Sequence, residues 1–145
     1  MIVSGAKMNV YEKDVRVTPF EMNGTLYIPE DAYNEVMGYG RSKTRYDSVY
    51  NKFYTYHFDL SDDLTKIVNY KWTCSRLDSA EVRVNGVLGT LKAPVVYVNG
   101  IFYIPVSLIS ECYGYEVKAM GDGVYAIGKY GVTDDAVKAV LSHIG

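Results

Sequence analysis

Asn99-Gly100-Ile101-Phe102-Tyr103-Ile104-Pro105, followed by Glu111 and Gly114, carries a turn, a strand, a helix start and a helix stop in one run. Asn-Gly between apolar residues signals a two-residue hairpin, because both turn positions need φ > 0. Ile101 to Ile104 then reads as a short apolar strand. Pro105 ends it and suits the first helical position, where a missing N–H costs nothing. Val106 to Cys112 reads as that helix, and Gly114 supplies a left-handed stop. The same run occurs 76 residues upstream (99 minus 23) as Asn23-Gly24-Thr25-Leu26-Tyr27-Ile28-Pro29, with Glu35 and Gly38 behind it. Tyr39 and Tyr115 continue the match. Either unit alone has too little apolar surface for a core, so the two must pack together. The expectation is one α+β domain over residues 1–145, an antiparallel sheet curled around a central helix. Its pseudo-repeats would lie at about 15–60 and 80–128, with a C-terminal helix at about 134–144.

Composition narrows the class. The chain has 145 residues, 48% hydrophobic and 22% charged, with a net charge of −2. There is no basic block, so the electrostatic footprint of a nucleic-acid binder is missing. No apolar run approaches the ~20 residues of a membrane span. Met1-Ile2-Val3-Ser4-Gly5 lacks the features of a signal peptide, which leaves an intracellular protein or a piece of a longer secreted chain. Cys74 and Cys112 could form a disulfide in a secreted protein, but two separate buried thiols are the preferred reading.

The rest of the chain supplies strands and turns. Met8 to Val17 reads as one or two short strands, with a break at Pro19. Phe20 to Met22 and Leu26 to Ile28 flank the first Asn-Gly turn, and Pro29 opens a helix through Met37. Ala32, Tyr33, Val36 and Met37 form its apolar stripe. Arg76 to Ser79 is a turn, Glu81 to Val84 a strand, and Asn85-Gly86 a third hairpin turn. Val95 to Val98 leads into the second unit, whose helix buries Leu108, Ile109, Cys112 and Tyr113. Tyr115 to Met120 and Val124 to Ile127 flank a turn at Gly121-Asp122-Gly123. Thr133 or Asp134 caps a last helix over Asp135 to Ile144, with Val137, Val140, Leu141 and Ile144 in one stripe.

Candidate binding chemistry lies between the repeats. The chain has 15 Tyr, and Tyr serves both in strands and in platforms with a polar tip. In the strand Phe53 to Phe58, alternation places Phe53, Thr55 and His57 on one face and Tyr54, Tyr56 and Phe58 on the other. Ile67 to Thr73 returns beside it, with Val68, Tyr70 and Trp72 on one face. If one face is spent on the core, Tyr54, Tyr56, Tyr70 and Trp72 form a platform for stacking on a glycan. Arg41, Lys43 and Arg45, read as a small basic loop, could bond its hydroxyls or acidic groups. Asp59, Asp62 and Asp63 lack the glycine and distal Glu of an EF-hand loop and read as a turn. His57 has no second His or Cys at ligand spacing. A small enzyme would have only Asp62, Asp63 and His57 to work with. No metal and no cofactor is expected.

The order of parts resembles the N-terminal domain of bacterial copper amine oxidases. That module also occurs, without an oxidase, as a stalk domain in secreted and surface proteins of Gram-positive bacteria. The resemblance runs over roughly residues 15 to 128: the Pro29 to Met37 helix, the aromatic strands from Tyr46 to Trp72, Val82-Arg83-Val84-Asn85-Gly86, Pro94-Val95-Val96, then Asn99 to Gly114. The family's oxidase core needs a quinone-forming Tyr in a Thr-x-x-Asn-Tyr-Asp/Glu motif and three copper-binding His. Here Asn69-Tyr70 is followed by Lys71, Thr65 stands one residue too far upstream, and the chain has only His57 and His143. The helix residues Glu30-Asp31-Ala32 and Val106-Ser107-Leu108 also depart from the Leu-Arg-rich family pattern. The resemblance implies a non-catalytic accessory or stalk domain of a larger extracellular or cell-surface protein, touching its neighbouring domains. The aromatic excess supports the alternative of a carbohydrate-binding module attached to a polysaccharide-degrading enzyme.

Overall fold

In a computed structural model, which describes residues 2–5, 8–12, 19–121 and 124–144, the Asn-Gly pairs close hairpins. Asn23, Gly24, Asn99 and Gly100 have φ of 56°, 73°, 51° and 81°, and Asn85 and Gly86 have 49° and 86°. These are the left-handed values that a two-residue turn with the strand twist requires.

The first strands are β1 (Ile2–Gly5), β2 (Met8–Glu12), β3 (Phe20–Met22) and β4 (Thr25–Pro29), followed by helix α1 (Glu30–Met37). Next come β5 (Ser42–Asp47), β6 (Lys52–Leu60), β7 (Ile67–Ser75), β8 (Glu81–Val84) and β9 (Val87–Thr90). The second unit is β10 (Val96–Val98), β11 (Ile101–Pro105) and α2 (Val106–Tyr113). The chain closes with β12 (Glu116–Gly121), β13 (Val124–Gly128) and α3 (Asp134–Ile144). Strands β3 and β4 and helix α1 recur as β10, β11 and α2 at the 76-residue offset, end for end.

The two units join through β4 and β11, which pair antiparallel with Ile28 opposite Ile104. Tyr27 stands opposite Pro105, and Tyr103 opposite Pro29. Ile28 and Ile104 are equivalent positions of the repeat, so this register sets a pseudo-two-fold axis between them. Both prolines keep extended backbone (φ −65°, ψ 158° and φ −69°, ψ 135°) and stand just before their helices rather than at the first helical position. Each is still paired across the ladder, which demands an extended ψ, so helical dihedrals begin one residue later.

Alternation divides the β3, β4, β10, β11 sheet. Leu26, Ile28 and Ile104 meet Tyr33, Val36, Leu108 and Ile109 of the helices in the main core. Tyr27, Tyr103 and Val96 gather with Phe20 and Ala93 in a separate cluster. Phe20 stacks on Tyr27 with ring centroids 5.2 Å apart, and the Tyr27 hydroxyl donates to the Pro94 carbonyl at 2.7 Å. Lys92 ties the units again: its backbone N–H donates to both carboxylate oxygens of Glu111 (3.0 and 3.1 Å), and its ammonium donates to the Gly24 carbonyl at 3.2 Å.

The chain is mostly β, about half strand and a fifth helix, with three sheets that include a curled half-barrel sheet. This overturns the expected α+β sheet curled around a central helix. The physical reason is length. Helices α1 and α2 have eight residues each, about 12 Å, too short to form the axis of a sheet. The hairpins instead build separate sheets, ordered β1-β2-β13-β12, β10-β11-β4-β3 and β5-β6-β7-β8-β9.

Smaller corrections follow from pairing. Ser42–Asp47 is a strand, not a basic loop, because it pairs along its length with β6. Cys74 and Cys112 are both free; Cys112 is buried, but Cys74 is half-exposed because its ladder partners Tyr54 and Arg83 face outward. Thr133 caps α3, accepting the Ala136 N–H at 3.2 Å, and Val137 is buried. The expected stripe members Val140, Leu141 and Ile144 fall within α3, but their side chains lie outside what the structure describes, as do the 13–17 part of the first strand and the 122–123 turn.

Gly100 tests the turn. A Cβ there would have open space, with Tyr97 Oη 3.9 Å away, so the penalty is backbone strain rather than clash. Gly100→Val should destabilise by about 1–2 kcal/mol, while Gly100→Asn stays close to wild type, as read by thermal unfolding. Ile104→Ala, which empties one half of the pair on the pseudo-axis, should cost about 2–5 kcal/mol in denaturant titration.

Candidate functional site

The five-stranded sheet has an inner face toward α2 and an outer face toward solvent. Its inner face is unusually polar. Thr55, His57, Thr73 and Ser75 are buried there beside Phe53 and Val82. Thr55 Oγ1 lies 2.5 Å from Thr73 Oγ1 and 2.7 Å from the Tyr113 hydroxyl. Lys71 Nζ donates to the Cys112 carbonyl at 3.0 Å, at the C-terminus of α2, where the helix dipole favours a cation.

The outer face carries the aromatics. Ladder partners place Arg45, Tyr54, Cys74, Arg83 and Leu88 in one row across the sheet. Lys43, Tyr56 and Trp72 form the next row. Tyr54 and Tyr56 lie nearly parallel, 10° between planes and 6.0 Å between centroids. The Arg45 guanidinium sits 4.5 Å from the centre of the Tyr54 ring, a cation–π contact. Its hydrogen bond to Tyr56 is the main cause of its raised pKa. Trp72 is fixed by Asn85, whose side-chain oxygen accepts the Trp72 N–H at 2.9 Å and whose own N–H donates to the Trp72 carbonyl at 3.0 Å.

A bulge shapes the far end. His57 pairs with Lys71, but Asp59 pairs with Val68, so Asn69 and Tyr70 together oppose Phe58. Asn69 takes φ of 52°, which its short polar side chain tolerates. The extra residue shifts Val68 to the Asp59 side, off the face that Tyr70 and Trp72 share, contrary to the simple alternation. Tyr70 is 52% exposed. Gly40, Arg41, Ser42, Lys43, Arg45, Tyr56, Phe58 and Tyr70 together line an open cleft of about 510 Å³.

Of the residues singled out in the sequence, Arg41, Lys43, Arg45, Tyr56 and Tyr70 line this cleft. Tyr54 and Trp72 share its face, Tyr54 in the next row along β6 and Trp72 beside Tyr56 in the same row. Phe58 joins the cleft in the same phase as Tyr54 and Tyr56, a signal present in the alternation itself. Arg83 reaches the face through cross-strand register, which no local pattern reveals; it donates to the Gly86 carbonyl at 3.1 Å.

The other candidates are structural. Asp63 Oδ1 accepts from the hydroxyls of Ser61 and Thr65 (2.6 and 2.7 Å) and the Thr65 N–H (3.1 Å). These bonds, that of Ser61 first, pull its pKa down to about 2 and staple the β6–β7 turn. His57 points inward, away from Asp62 and Asp63. Its Nε2 lies 3.3 Å from the Tyr115 hydroxyl and 3.7 Å from Asp59 Oδ1, and its Nδ1 is buried without a partner. Asp59 is held by Lys129 and by Asn69 Nδ2 at 3.1 Å. Among the described residues no group of three His, Cys, Asp or Glu could hold a metal ion.

Burial lowers the His57 pKa below its ordinary 6.5, against the pull of Asp59. The unfolded chain therefore takes up a proton that the folded chain resists. Stability should be full above pH 6.5 and fall as pH drops through the lowered value. Asp59 adds loss only below 3.8, since the bonds from Lys129 and Asn69 outweigh its own desolvation. Unfolding between pH 7.5 and 5, compared with His57→Gln, should show a slope that the variant lacks; equal slopes would remove His57 as the cause.

Comparison with protein-family models, with curated proteins and with solved structures gives no match to this chain.

Proposed function

We propose that the chain is a non-catalytic accessory domain of a larger secreted or cell-surface bacterial protein, and that its task is to hold a polysaccharide on the outer face of the five-stranded sheet. One observation carries this reading: along β6 and β7 that sheet buries polar side chains and leaves aromatic ones on its outer face. A half-buried antiparallel sheet ordinarily puts apolar side chains inside and polar ones outside. Here Thr55, His57, Thr73 and Ser75 are inside, while Tyr54, Tyr56, Phe58, Tyr70 and Trp72 are outside or half-buried. The aromatics are thus not consumed by the core. Flat rings with polar tips suit the faces of sugar rings, which combine C–H patches with hydroxyls. The order of the two hairpin–helix units supports the accessory role through its resemblance to the copper amine oxidase N-terminal domain. No helix among the described residues is long and apolar enough to cross a membrane.

Titration with a panel of neutral and acidic polysaccharides tests the binding, with fluorescence of Trp72, the chain's one Trp, as readout. Binding should fall between about millimolar and micromolar, or about −4 to −8 kcal/mol. Tyr56→Ala should weaken it by about 1–2 kcal/mol without loss of folding. A panel in which no member perturbs Trp72 or the tyrosines overturns the glycan reading. A parent gene encoding neither a secretion signal nor a further domain overturns the accessory one.

A further inference from the structure

We infer that the cleft at the β5 edge selects polyanionic polysaccharides, carboxylated or sulfated, over neutral ones. The inference rests on the polysaccharide reading above and names its ligand class. Arg41 leads into β5, and Lys43 and Arg45 follow at two-residue intervals on the outward side of that strand. Side chains two apart on a strand share a face, so the three form one row over about 13 Å. That row matches a short oligosaccharide better than a single ion. All three line the cleft with Tyr56, Phe58 and Tyr70, and no carboxylate is among its described lining residues.

The row is not neutralised internally. None of the ion pairs among the described residues involves Arg41, Lys43 or Arg45. The carboxylates that share the outer face, Asp47 and Glu81, lie outside the cleft, in the rows of Lys52 and Thr90; Asp47, two residues beyond Arg45, acts on it by charge without forming an ion pair. In a chain of net charge −2, three cations without an ion pair among the described residues, bordering an aromatic strip, are a local reversal of sign. The rings would take the sugar faces, and the cations would take the acidic groups projecting from the sugar edges. Arg is suited to the planar carboxylate or sulfate fork, while Lys43 adds a point charge. A single-stranded nucleic acid would also meet rings and cations. The tyrosine-rich strip, with its phenol hydroxyls beside flat rings, suits sugar faces edged with hydroxyls and favours the glycan.

The test uses polygalacturonate, its fully methyl-esterified form, chondroitin sulfate and oligo-dT against the whole chain, by calorimetry at low and high salt. Polygalacturonate or chondroitin sulfate should bind at least tenfold more tightly than the ester, and the difference should shrink with salt, since exposed charges are screened. The variant carrying Arg41→Gln, Lys43→Gln and Arg45→Gln should lose that preference while unfolding at the wild-type temperature. Arg41→Lys with Arg45→Lys should restore most of it. Equal binding of acid and ester, unchanged by the triple variant, overturns this inference and leaves the polysaccharide reading standing. Failure of every glycan overturns both. Tighter binding of oligo-dT than of any glycan overturns the choice of partner.

Discussion

The antiparallel contact of β4 with β11, centred on Ile28 against Ile104, is the constraint on which the rest depends. It makes two small hairpin–helix units into one core. Both isoleucines are fully buried, and both helices rest on the strand pair they flank. Neither eight-residue helix would persist alone, because short helices are stable only through tertiary packing. The ties around the axis are not symmetric. Thr25 Oγ1 accepts the Ser107 N–H at 3.3 Å, where the other unit has Ile101, which carries no side-chain acceptor. Symmetry is therefore kept where apolar volume matters and dropped where single polar bonds suffice.

Past the helices the units diverge, and the candidate site lies on the diverged part. Gly38 and Gly114 stop equivalent helices, yet Gly114 is left-handed (φ 74°, ψ 13°) while Gly38 is not (φ 103°, ψ 112°). The first exit leads to β5, an edge of the five-stranded sheet; the second leads to β12, an edge of the four-stranded sheet that holds β1, β2 and β13. The five-stranded sheet then docks on α2 through hydrogen bonds as much as through apolar area. The Thr55–Thr73–Tyr113 bonds, the Lys71 contact with the helix end and the His57–Tyr115 pair do this work. Such buried networks favour one arrangement, since an unpaired member is costly. Burial also pushes Tyr113 and Tyr115 up to about 12, so both hydroxyls stay neutral.

Legibility in the sequence follows the range of the interactions. The Asn-Gly turns, the two helices and the division of Phe53 to Phe58 into two faces were readable because each is local: a turn needs two residues, an alternation needs six. The pairing of β4 with β11 was not, because register between segments 76 residues apart leaves no local trace. Nor was the edge position of Ser42–Asp47, where polar alternation in Ser42-Lys43-Thr44-Arg45 looks like a loop until β6 is set beside it. The bulge at Asn69 was missed for a similar reason: an Asn in a strand announces positive φ only once the opposite residue is known. The central-helix expectation failed because eight-residue helices cannot form the axis of a sheet, and nine of the 13 described strands lie outside the two matching hairpin–helix units.

Rigidity connects the fold to the proposed binding face. A weak ligand gains little if its site must first be ordered, since each immobilised side chain costs about 0.5–1.5 kcal/mol. Here most of that ordering is already in place. Tyr54 and Tyr56 stack on each other, Arg45 lies over Tyr54, and Asn85 clamps the backbone of Trp72 from both sides. Tyr70, on the bulge, is the one aromatic of the set left more than half exposed. The polar inner face holds the sheet against α2, and α2 is set in turn by β11 and the Ile28–Ile104 pair. The pair buried on the pseudo-axis thereby belongs to the same chain of packed elements that supports the sheet carrying the rings.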